Sequence, residues 1–366
     1  EDLIADRDFP PFDRVTMDGI AIIYDSFEKG QREYQIEATA AAGNPQMTLQ
    51  DGQNCIEVMT GAIMPNGVDT VIRYEDLAIY DGNATIQLDT LNHKQNVHFK
   101  GIDITQGTVI VPKGKKLSSA EINIAASVGK ASLQTSQLPR VVIFSTGDEL
   151  VPVDQTPELH QIRRSNIYGI QATLKEWGIN ADLQHLADDK SEMLAVISRL
   201  LLEYDVLIFT GGVSKGKFDY LPYVLEELQV KKHFHKIQQR PGKPFWFGTN
   251  EAGKKIFALP GNPVSSFVCV YIYIQFWLHK SLGISQQTLN VRLKNDVKFQ
   301  PKLVYFLEAT LESDKEGILV ADPKKGNGSG DFANLVKTDG FLILPQNKNE
   351  FKKGEVYPFI PYRSKF

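Results

Sequence analysis

The chain has 366 residues, of which 42% are hydrophobic and 23% charged, a composition typical of folded globular proteins rather than disordered or collagen-like chains. Its 40 basic and 44 acidic side chains leave a net charge of −4, which argues against bulk binding to nucleic acid. Two cysteines, Cys55 and Cys269, are too few for a disulfide framework, and the most apolar run, residues 267–278, is shorter than the roughly 20 residues of a membrane-spanning helix. Because no signal-peptide pattern follows Glu1, we expect a cytoplasmic protein. The length of the chain predicts two or three domains.

The first third of the chain is rich in short β-like runs. They lie at 54–59, 70–74 and 84–88 and are separated by Gly-Asn, Pro-Asn-Gly and Asp-Gly-Asn turn sequences. This pattern predicts a mostly β domain. Further on, Ser118 is followed three residues later by Glu121, the capping-box spacing, which predicts a short helix through Val128.

The middle third alternates strand and helix patterns. We predict strands at 141–144, 182–186, 206–209 and 256–259, and helices at 165–177, 190–204, 220–228 and from Asn262 at the N-cap and Pro263 at the first position through 278. Such alternation predicts a doubly wound, mostly parallel sheet, which binds ligands beyond the carboxyl ends of its strands. Three loops leave those ends, at 145–150, 210–219 and 259–263, and are expected to converge.

After residue 283 the β pattern returns. Runs at 289–293, 304–311, 317–321 and 340–344, closing at 357–359, predict a second small β domain. The predicted fold is therefore multidomain, α/β plus β, with a central doubly wound parallel-sheet domain flanked by mostly β domains.

Two of the convergent loops carry residues suited to anions and metal ions. Gly211 and Gly212 remove side chains that would keep backbone amides from an anion, although a tight turn at a strand end explains the same glycines. Asp219 adds a carboxylate, and Mg²⁺ typically binds one or two carboxylates plus ligand phosphates. In the loop at 259–263, two prolines fix the backbone where a helix begins. Together these residues favour an anion and metal site.

A basic turn is a further candidate for anion binding, whereas the histidines and serines argue against two other kinds of site. Arg240 and Lys243 flank Pro241-Gly242 and suit an anion, the alternative being a solvated surface loop. The seven histidines show no metal-ligand spacing. Ser145 and Ser214 have no evident histidine partner, which argues against a serine hydrolase.

The motifs, taken in order, resemble those of the MoeA family of molybdopterin molybdenumtransferases, which is homologous to the C-terminal domain of gephyrin. They are Pro10-Pro11-Phe12-Asp13, Met17-Asp18-Gly19, Thr60-Gly61-Ala62, 101–104, 145–150, Gly211–Ser214 with Asp219-Tyr220, Pro241–Pro244 and Leu259–Pro263. The resemblance implies a MogA-like central sheet domain and Mg²⁺-dependent insertion of molybdate into adenylylated molybdopterin, with release of AMP. It also implies an elongated homodimer with a cleft shared between subunits, and it leaves room for other molybdenum cofactor biosynthesis proteins as partners. Neither nucleic acid nor a membrane is expected as a partner.

The same resemblance implies four domains. A linking α/β domain would comprise residues 1–18 and 100–137, with a mostly β domain inserted at 19–99. A molybdopterin-binding sheet domain would cover 138–283, and a C-terminal β domain 284–366.

Site residues carried over from the family motifs fall into three groups. The catalytic group would be Asp18, Thr60, Asp103, Glu149, Asp188 and Asp219, with Asp189 as the alternative to Asp188. The metal ligands would be Asp219 and Glu149. The binding group would be Gly211, Gly212, Ser214, Lys236, Arg240, Lys243, Pro260, Gly261, Asn262, Pro263 and Ser329.

Some positions depart from the family pattern. His98 stands where the family often has arginine, Arg240 where lysine is common, and Glu308 where a basic residue is expected. Competing hypotheses are a molybdopterin adenylyltransferase, a CinA-like nucleotide pyrophosphatase, and a non-enzymatic, gephyrin-like dimeric scaffold. The long β-rich flanks disfavour the two other enzymes, which need only the sheet domain.

Overall fold

The computed structural model describes residues 1–213, 220–284 and 288–363, and the chain divides into two compact units, Glu1–Thr135 and Ser136–Phe366. Among the residues described, no helix has the length and apolar character needed to cross a membrane.

The first unit is mainly β. Its strands are β1 (Leu3–Ile4), β2 (Arg14–Val15), β3 (Gly19–Ile22), β4 (Glu33–Ala40), β5 (Cys55–Val58), β6 (Thr70–Arg73), β7 (Leu77–Tyr80), β8 (Asn83–Ile86), β9 (Val97–His98) and β10 (Val109–Val111). Its helices are α1 (Tyr24–Glu28) and α2 (Ser119–Ser127), with a 3₁₀ turn at Tyr74–Asp76.

Six of these strands form one sheet in the order β6-β3-β5-β4-β8-β7. The central strand β3 is buried along its whole length, with Ile20 packing into one apolar cluster and Ala21 into another on the opposite face. The mostly β prediction is thus confirmed. The predicted capping box is also present, because Glu121 accepts from the Ser118 amide at 2.8 Å while Ser118 Oγ accepts from Ala120 at 3.2 Å.

The second unit contains the remaining elements. Its strands are β11 (Val141–Thr146), β12 (Leu150–Val151), β13 (Ile162–Arg163), β14 (Ala181–Leu186), β15 (Val206–Thr210), β16 (Lys231–His235), β17 (Gln239–Arg240), β18 (Trp246–Thr249), β19 (Lys255–Leu259), β20 (Leu289–Leu293), β21 (Val297–Lys298), β22 (Val304–Ser313), β23 (Leu319–Pro323), β24 (Gly340–Leu344), β25 (Glu350–Phe351) and β26 (Val356–Pro361). Its helices are α3 (Ser165–Glu176), α4 (Lys190–Glu203), α5 (Leu221–Glu227), α6 (Pro263–Cys269) and α7 (Gln275–Ser281), with a π-helical segment at Val270–Ile274 and a 3₁₀ helix at Phe332–Lys337.

A six-stranded sheet in the order β14-β11-β15-β19-β18-β16 is the centre of this unit. The first four strands are parallel, and β18 and β16 add an antiparallel edge that the sequence did not predict. Because side chains alternate along a strand, Phe144 packs with α4 and α5 on one face, while Ile143 packs with α3, α6 and α7 on the other. Helices on both faces confirm the doubly wound prediction.

The C-terminal strands form a closed sheet. Their order is β22-β23-β20-β26-β24, and an additional pairing of β22 with β24 closes the ring around an apolar core. The short strand β17 of the basic turn pairs with β22 from outside this ring. The outside of β22 and β24 packs on the sheet domain, where Phe306 and Phe341 cluster with Val264 and Val268 of α6. This packing sets the C-terminal strands beside the loop in which α6 begins.

Candidate active site

A cavity of about 490 Å³ opens at the carboxyl ends of β11, β15 and β19, and we call it the sheet-edge cavity. Its lining includes Glu149 after β11, Asp188 after β14, Gly211 and Gly212 after β15, and the loop Pro260–Pro263 after β19. The predicted convergence of three loops at one edge of the sheet is therefore present in the part of those loops that the structure describes. Ser214 and Asp219 lie outside the described residues.

The acidic part of this cavity is fixed by local backbone geometry. Gly147 has φ +130°, and a Cβ there would lie 2.4 Å from Glu149 Oε2, so the Glu149 carboxylate folds back over a position that only glycine permits. The amide of Asp188 donates to Asp148 Oδ1 at 3.0 Å, which ties the loop after β14 to the loop after β11. These contacts hold two acidic loops together.

Asp189, the alternative to Asp188, is engaged in a helix cap. Asp189 Oδ1 accepts from the amide of Glu192 at 2.8 Å and thereby caps α4. The hydroxyl of Ser191, followed by that amide, lowers the pKa of Asp189. Asp188, by contrast, lines the sheet-edge cavity. We therefore retain Asp188 as the site candidate.

The two glycines after β15 have different roles. The Gly211 amide donates to the Leu259 carbonyl at 3.0 Å and so continues the sheet, which means that this amide is already engaged within the protein. Gly211 has φ +101°, and a Cβ there would lie 2.8 Å from Thr146 Oγ1. Glycine is required at this position because β11 and β15 come close together. Gly212, with φ +69°, follows where the chain leaves the sheet.

A second cavity, of about 880 Å³, lies between the basic turn and the C-terminal strands, and we call it the basic cavity. Its lining includes Arg240, Lys243 and Ser329. It shares Pro260 and Asn262, among others, with the sheet-edge cavity. The two cavities are therefore neighbours. The sheet-edge wall holds Glu149 and Asp188 beside two arginines, and the basic wall holds four cationic side chains beside Asp296 and Glu308.

The basic turn is held from beneath by a buried glutamine. Gln239 is 1% exposed, and its Nε2 donates to the Pro241 carbonyl at 3.0 Å. Its Oε1 accepts from the hydroxyl of Tyr273. Gly242 has φ +90°, and a Cβ there would lie 2.6 Å from Gln239 Nε2 and 2.9 Å from Cys269 Sγ. The turn is thus packed closely, while Arg240 and Lys243 remain exposed at its two ends.

The wall shared by the cavities is tied to the C-terminal domain. Asn262 precedes α6 as predicted but makes no side-chain cap, and its Nδ2 donates instead to Ser329 Oγ at 2.8 Å. The amide of Val264 donates to the Ser329 carbonyl at 3.1 Å. Ser329 therefore contacts the start of α6 through both its side chain and its backbone.

Glu308 lies in the wall of the basic cavity and is 6% exposed. Burial raises the pKa of its carboxyl, and the charge of Asp331 adds to this effect. An acid that departs from the expected basic residue therefore lines the same cavity as the cations, in an environment that disfavours its charged form.

The remaining predicted residues lie elsewhere. Lys236 lines neither cavity. In the first unit, Asp18 Oδ1 accepts from the Thr60 amide at 2.6 Å, and this bond, with the Thr60 hydroxyl, lowers the pKa of Asp18. Asp103 Oδ2 lies 2.9 Å from Nε2 of His98, the residue that departs from the family pattern.

One premise of the sequence analysis, that Ser145 has no histidine partner, is wrong. Ser145 does have a histidine partner, since its Oγ lies 3.0 Å from Nδ1 of His185. The two residues are directly opposite each other in the parallel pairing of β11 with β14. Ser145 is only 1% exposed, and burial, followed by the charge of Arg164, lowers the pKa of His185. A neutral imidazole therefore contacts a serine that presents almost no surface to a substrate.

No group of three or more His, Cys, Asp or Glu side chains suited to a metal ion is present among residues 1–213, 220–284 and 288–363. Mg²⁺ does not need such a group, because it commonly binds one or two carboxylates together with phosphate oxygens and water. Glu149 and Asp188 are the carboxylates that the described lining of the sheet-edge cavity offers to such a site.

Comparison with known proteins agrees with this architecture. Three families match successive parts of the chain. Residues 1–129 match the family described as "MoeA N-terminal region (domain I and II)", residues 142–280 match "Probable molybdopterin binding domain", and residues 290–362 match "MoeA C-terminal region (domain IV)". A Synechocystis protein named molybdopterin molybdenumtransferase is 43% identical over 369 residues, covering 99% of this chain and 91% of the relative. The chain belongs to the MoeA family.

Other relatives of this MoeA chain support the same assignment. A Nostoc protein, also named molybdopterin molybdenumtransferase, is 31% identical and covers 95% of the chain and 82% of the relative. The crystal structure of a MoeA protein from Pyrococcus horikoshii is 28% identical, with a TM-score of 0.82 over 100% of this chain and 91% of that one. The resemblance drawn from the motifs is thereby confirmed.

Sequence reasoning missed several residues of the MoeA site region. Gln239 and Tyr273 support the basic turn, and Arg164 lines the sheet-edge cavity near His185. A usable signal existed for Arg164, since it directly precedes a predicted helix on a loop beside the cavity. Gln239 and Tyr273 carried no such signal, because their contact depends on packing between segments 34 residues apart.

Proposed function

We propose that this MoeA protein is a molybdopterin molybdenumtransferase that inserts molybdate into adenylylated molybdopterin in a Mg²⁺-dependent reaction and releases AMP. The observation that carries the proposal is the adjacency of the two cavities. The sheet-edge wall holds the carboxylates Glu149 and Asp188 beside two arginines, and the basic wall has an excess of cations, including Arg240 and Lys243. Both walls include Pro260 and Asn262. The pyrophosphate link of one substrate needs carboxylates that hold Mg²⁺, and molybdate, a dianion, needs cations. The two substrates therefore fit two adjoining cavities.

The basic cavity suits molybdate. Arg240 and Lys243 are exposed at the ends of a closely packed turn, and among the described residues neither forms an ion pair with an acidic side chain. Their charges are therefore available to an oxyanion, and Ser329 adds a hydroxyl to the same wall. The sheet-edge cavity would receive the pyrophosphate link.

Mg²⁺ would be held by Glu149 and Asp188, with Asp219 as a further candidate outside the described residues. When bound, the ion would neutralise charge on phosphate oxygens as the link is cleaved. The fixed positions of the two loops, tied by the bond from the Asp188 amide to Asp148, keep these carboxylates from having to reorganise.

The organisation of the protein is part of the proposal. We infer a cytoplasmic homodimer with four domains per subunit: 1–18 with 100–137, 19–99, 138–283 and 284–366. The pairing of β1 with β10, which joins Leu3 to Val111, supports a linking domain made of two separate segments. Asp18, Thr60 and Asp103 would complete the cleft of the other subunit.

The test is to incubate purified protein with adenylylated molybdopterin, Mg²⁺ and molybdate, and to measure AMP release by chromatography. We expect release that depends on both ions and falls at least ~100-fold in Glu149→Gln, in line with losing an electrostatic contact in the transition state. Formation of adenylylated molybdopterin from ATP and molybdopterin would favour an adenylyltransferase instead. Absence of both reactions in a folded dimer would favour the scaffold hypothesis.

A further inference from the structure

Arg164 presents an unusual arrangement in the wall of the sheet-edge cavity. It is the residue before the first turn of α3, and its amide is used in a bond to the Val151 carbonyl at 3.0 Å. Its side-chain Nε is buried, yet this N–H has no hydrogen-bond partner among the described residues. A buried donor of a charged group without an acceptor is costly and calls for an explanation, and a bound ligand that accepts from it supplies one.

The neighbouring Arg163 shows the ordinary alternative. It also lines the cavity, but its Nε donates to the Gln155 carbonyl at 3.1 Å and its side chain is exposed. The two arginines have the same charge and adjacent positions. Only Arg164 has a buried donor that the described protein leaves without an acceptor.

The surroundings of Arg164 favour an anion. The first turn of α3 contains no acidic residue, and Arg164 supplies no side-chain cap, so nothing in that turn offers a carboxylate to the helix amides. Ser165 and Asn166 of the same turn also line the cavity. The guanidinium and the helix start are therefore two positive features in one wall.

The size of the cavity identifies the class of anion. About 490 Å³ is far more than an inorganic oxyanion needs and lies within the range of pockets for organic ligands. Leu150, Ile162 and Ile167 supply apolar surface beside the polar groups. A phosphate ester of a ring-bearing molecule, such as a nucleotide, combines a planar ring with phosphate oxygens and matches this lining.

We propose that Arg164 is a phosphate-binding residue of the sheet-edge cavity, where its Nε–H and one terminal N–H donate to two oxygens of an organic phosphate ester. This inference rests on the proposed function and specifies which residue receives the nucleotide phosphate of the substrate. Arginine suits the task because its planar fork matches two phosphate oxygens.

His185 provides an internal reporter of occupancy. The charge of Arg164 contributes to lowering the pKa of His185, so the guanidinium lies within electrostatic reach of the imidazole. A phosphate bound to Arg164 offsets that charge and raises the pKa of His185. A ligand bound far from the sheet-edge cavity leaves it unchanged.

The binding test uses AMP and inorganic phosphate as probes, with Mg²⁺ present, and isothermal titration calorimetry as the measurement. We expect Arg164→Gln to raise the Kd for AMP at least ~10-fold, and Arg164→Lys to raise it less. Arg199→Gln, in α4 and outside the cavity lining, makes the same change of charge and should change it less than ~3-fold. Wild-type protein should bind AMP more tightly than inorganic phosphate, which distinguishes an ester from the free ion.

Equal AMP affinities for wild type and Arg164→Gln overturn the inference, as does a wild-type protein that binds no AMP. Neither result touches the proposed function, which is tested separately by AMP release that depends on molybdate. If Arg164→Gln does not fold, titration of His185 by NMR in wild-type protein decides the matter, with His185→Gln identifying the resonance. AMP must then raise the pKa of His185, and an unchanged value overturns the inference.

Discussion

Asn262 and Ser329 are joined by a hydrogen bond of 2.8 Å from Nδ2 to Oγ, which links the start of α6 to the C-terminal domain. Asn262 lines both cavities and Ser329 lines the basic one. The bond therefore lies in the wall that separates the two environments, and the residue expected to cap a helix instead connects two domains.

The first prediction concerns this bond. Asn262→Ala and Ser329→Ala should each raise the molybdate concentration for half-maximal rate by roughly 3- to 10-fold, since one hydrogen bond contributes about 0.5–1.5 kcal/mol. The double variant should be little worse than the more impaired single variant, because both remove the same interaction. Steady-state kinetics on all three proteins measures this. Fully additive effects would mean that the two side chains act independently.

The second prediction concerns the cations of the basic cavity. Changing Arg240 and Lys243 together to Gln should raise the half-saturating molybdate concentration at least ~10-fold, which corresponds to about 1.4 kcal/mol of binding free energy. The reason is that a pair of unit charges ~4 Å apart, at an effective dielectric near 20, attracts by roughly 4 kcal/mol before desolvation. The dependence on ionic strength should also weaken. Lys324→Gln is the matched control, because Lys324 pairs with Asp322 at 2.8 Å and does not line the cavity. An unchanged molybdate response in the double variant would assign the turn to the solvated surface.

The third prediction concerns the packing of the basic turn. Gly242→Ala should lower the melting temperature clearly more than Gly253→Ala. Both glycines have positive φ, +90° and +75°, so both substitutions carry the cost of a left-handed backbone. Only at Gly242 would the new Cβ meet buried atoms, with Gln239 Nε2 at 2.6 Å, whereas the nearest atom at Gly253 is 3.9 Å away. Differential scanning calorimetry provides the comparison, and equal losses would contradict the close packing.

The fourth prediction concerns Glu308 and pH. Burial raises the pKa of the folded-state carboxyl, so ionisation favours the unfolded chain once the pH exceeds the ordinary value of about 4.3. The protonated Glu308 carboxyl makes its whole contribution to the free energy of unfolding below that pH. The contribution is lost as the pH rises through the raised pKa of the folded state. Glu308→Gln removes this loss, so its melting temperature relative to wild type should increase between pH 4 and the raised pKa. A constant difference at all pH values would show that the carboxyl keeps an ordinary pKa.

The fifth prediction concerns assembly. If the cleft is shared between subunits, inactive Asp18→Asn and Glu149→Gln proteins should regain part of their AMP release when mixed. Heterodimers would then carry one cleft with both native residues. Native mass spectrometry confirms subunit exchange. Lack of recovery despite exchange would place both residues in a cleft built by a single chain.

The alternation of strands and helices could be predicted from the sequence because burial makes apolar residues recur at spacings typical of each element. Strands at 141–144, 206–209 and 256–259 are apolar throughout, as expected for strands buried on both faces. Since parallel strands end at one edge, the meeting of Glu149 with Gly212 and Pro260 followed from their order alone. The antiparallel edge strand β16 was missed because Lys231 to His235 is polar and mostly exposed.

What the sequence by itself determined was therefore the class of fold, the family and the edge of the sheet where the loops gather, all of which depend on local pattern and chain order. The tertiary structure alone decided which side chains touch. Strand register placed Ser145 opposite His185, a helix cap engaged Asp189 and left Asp188 in the cavity wall, and packing buried Gln239 beneath the basic turn. These outcomes depend on distances between segments far apart in the chain, which no local period encodes.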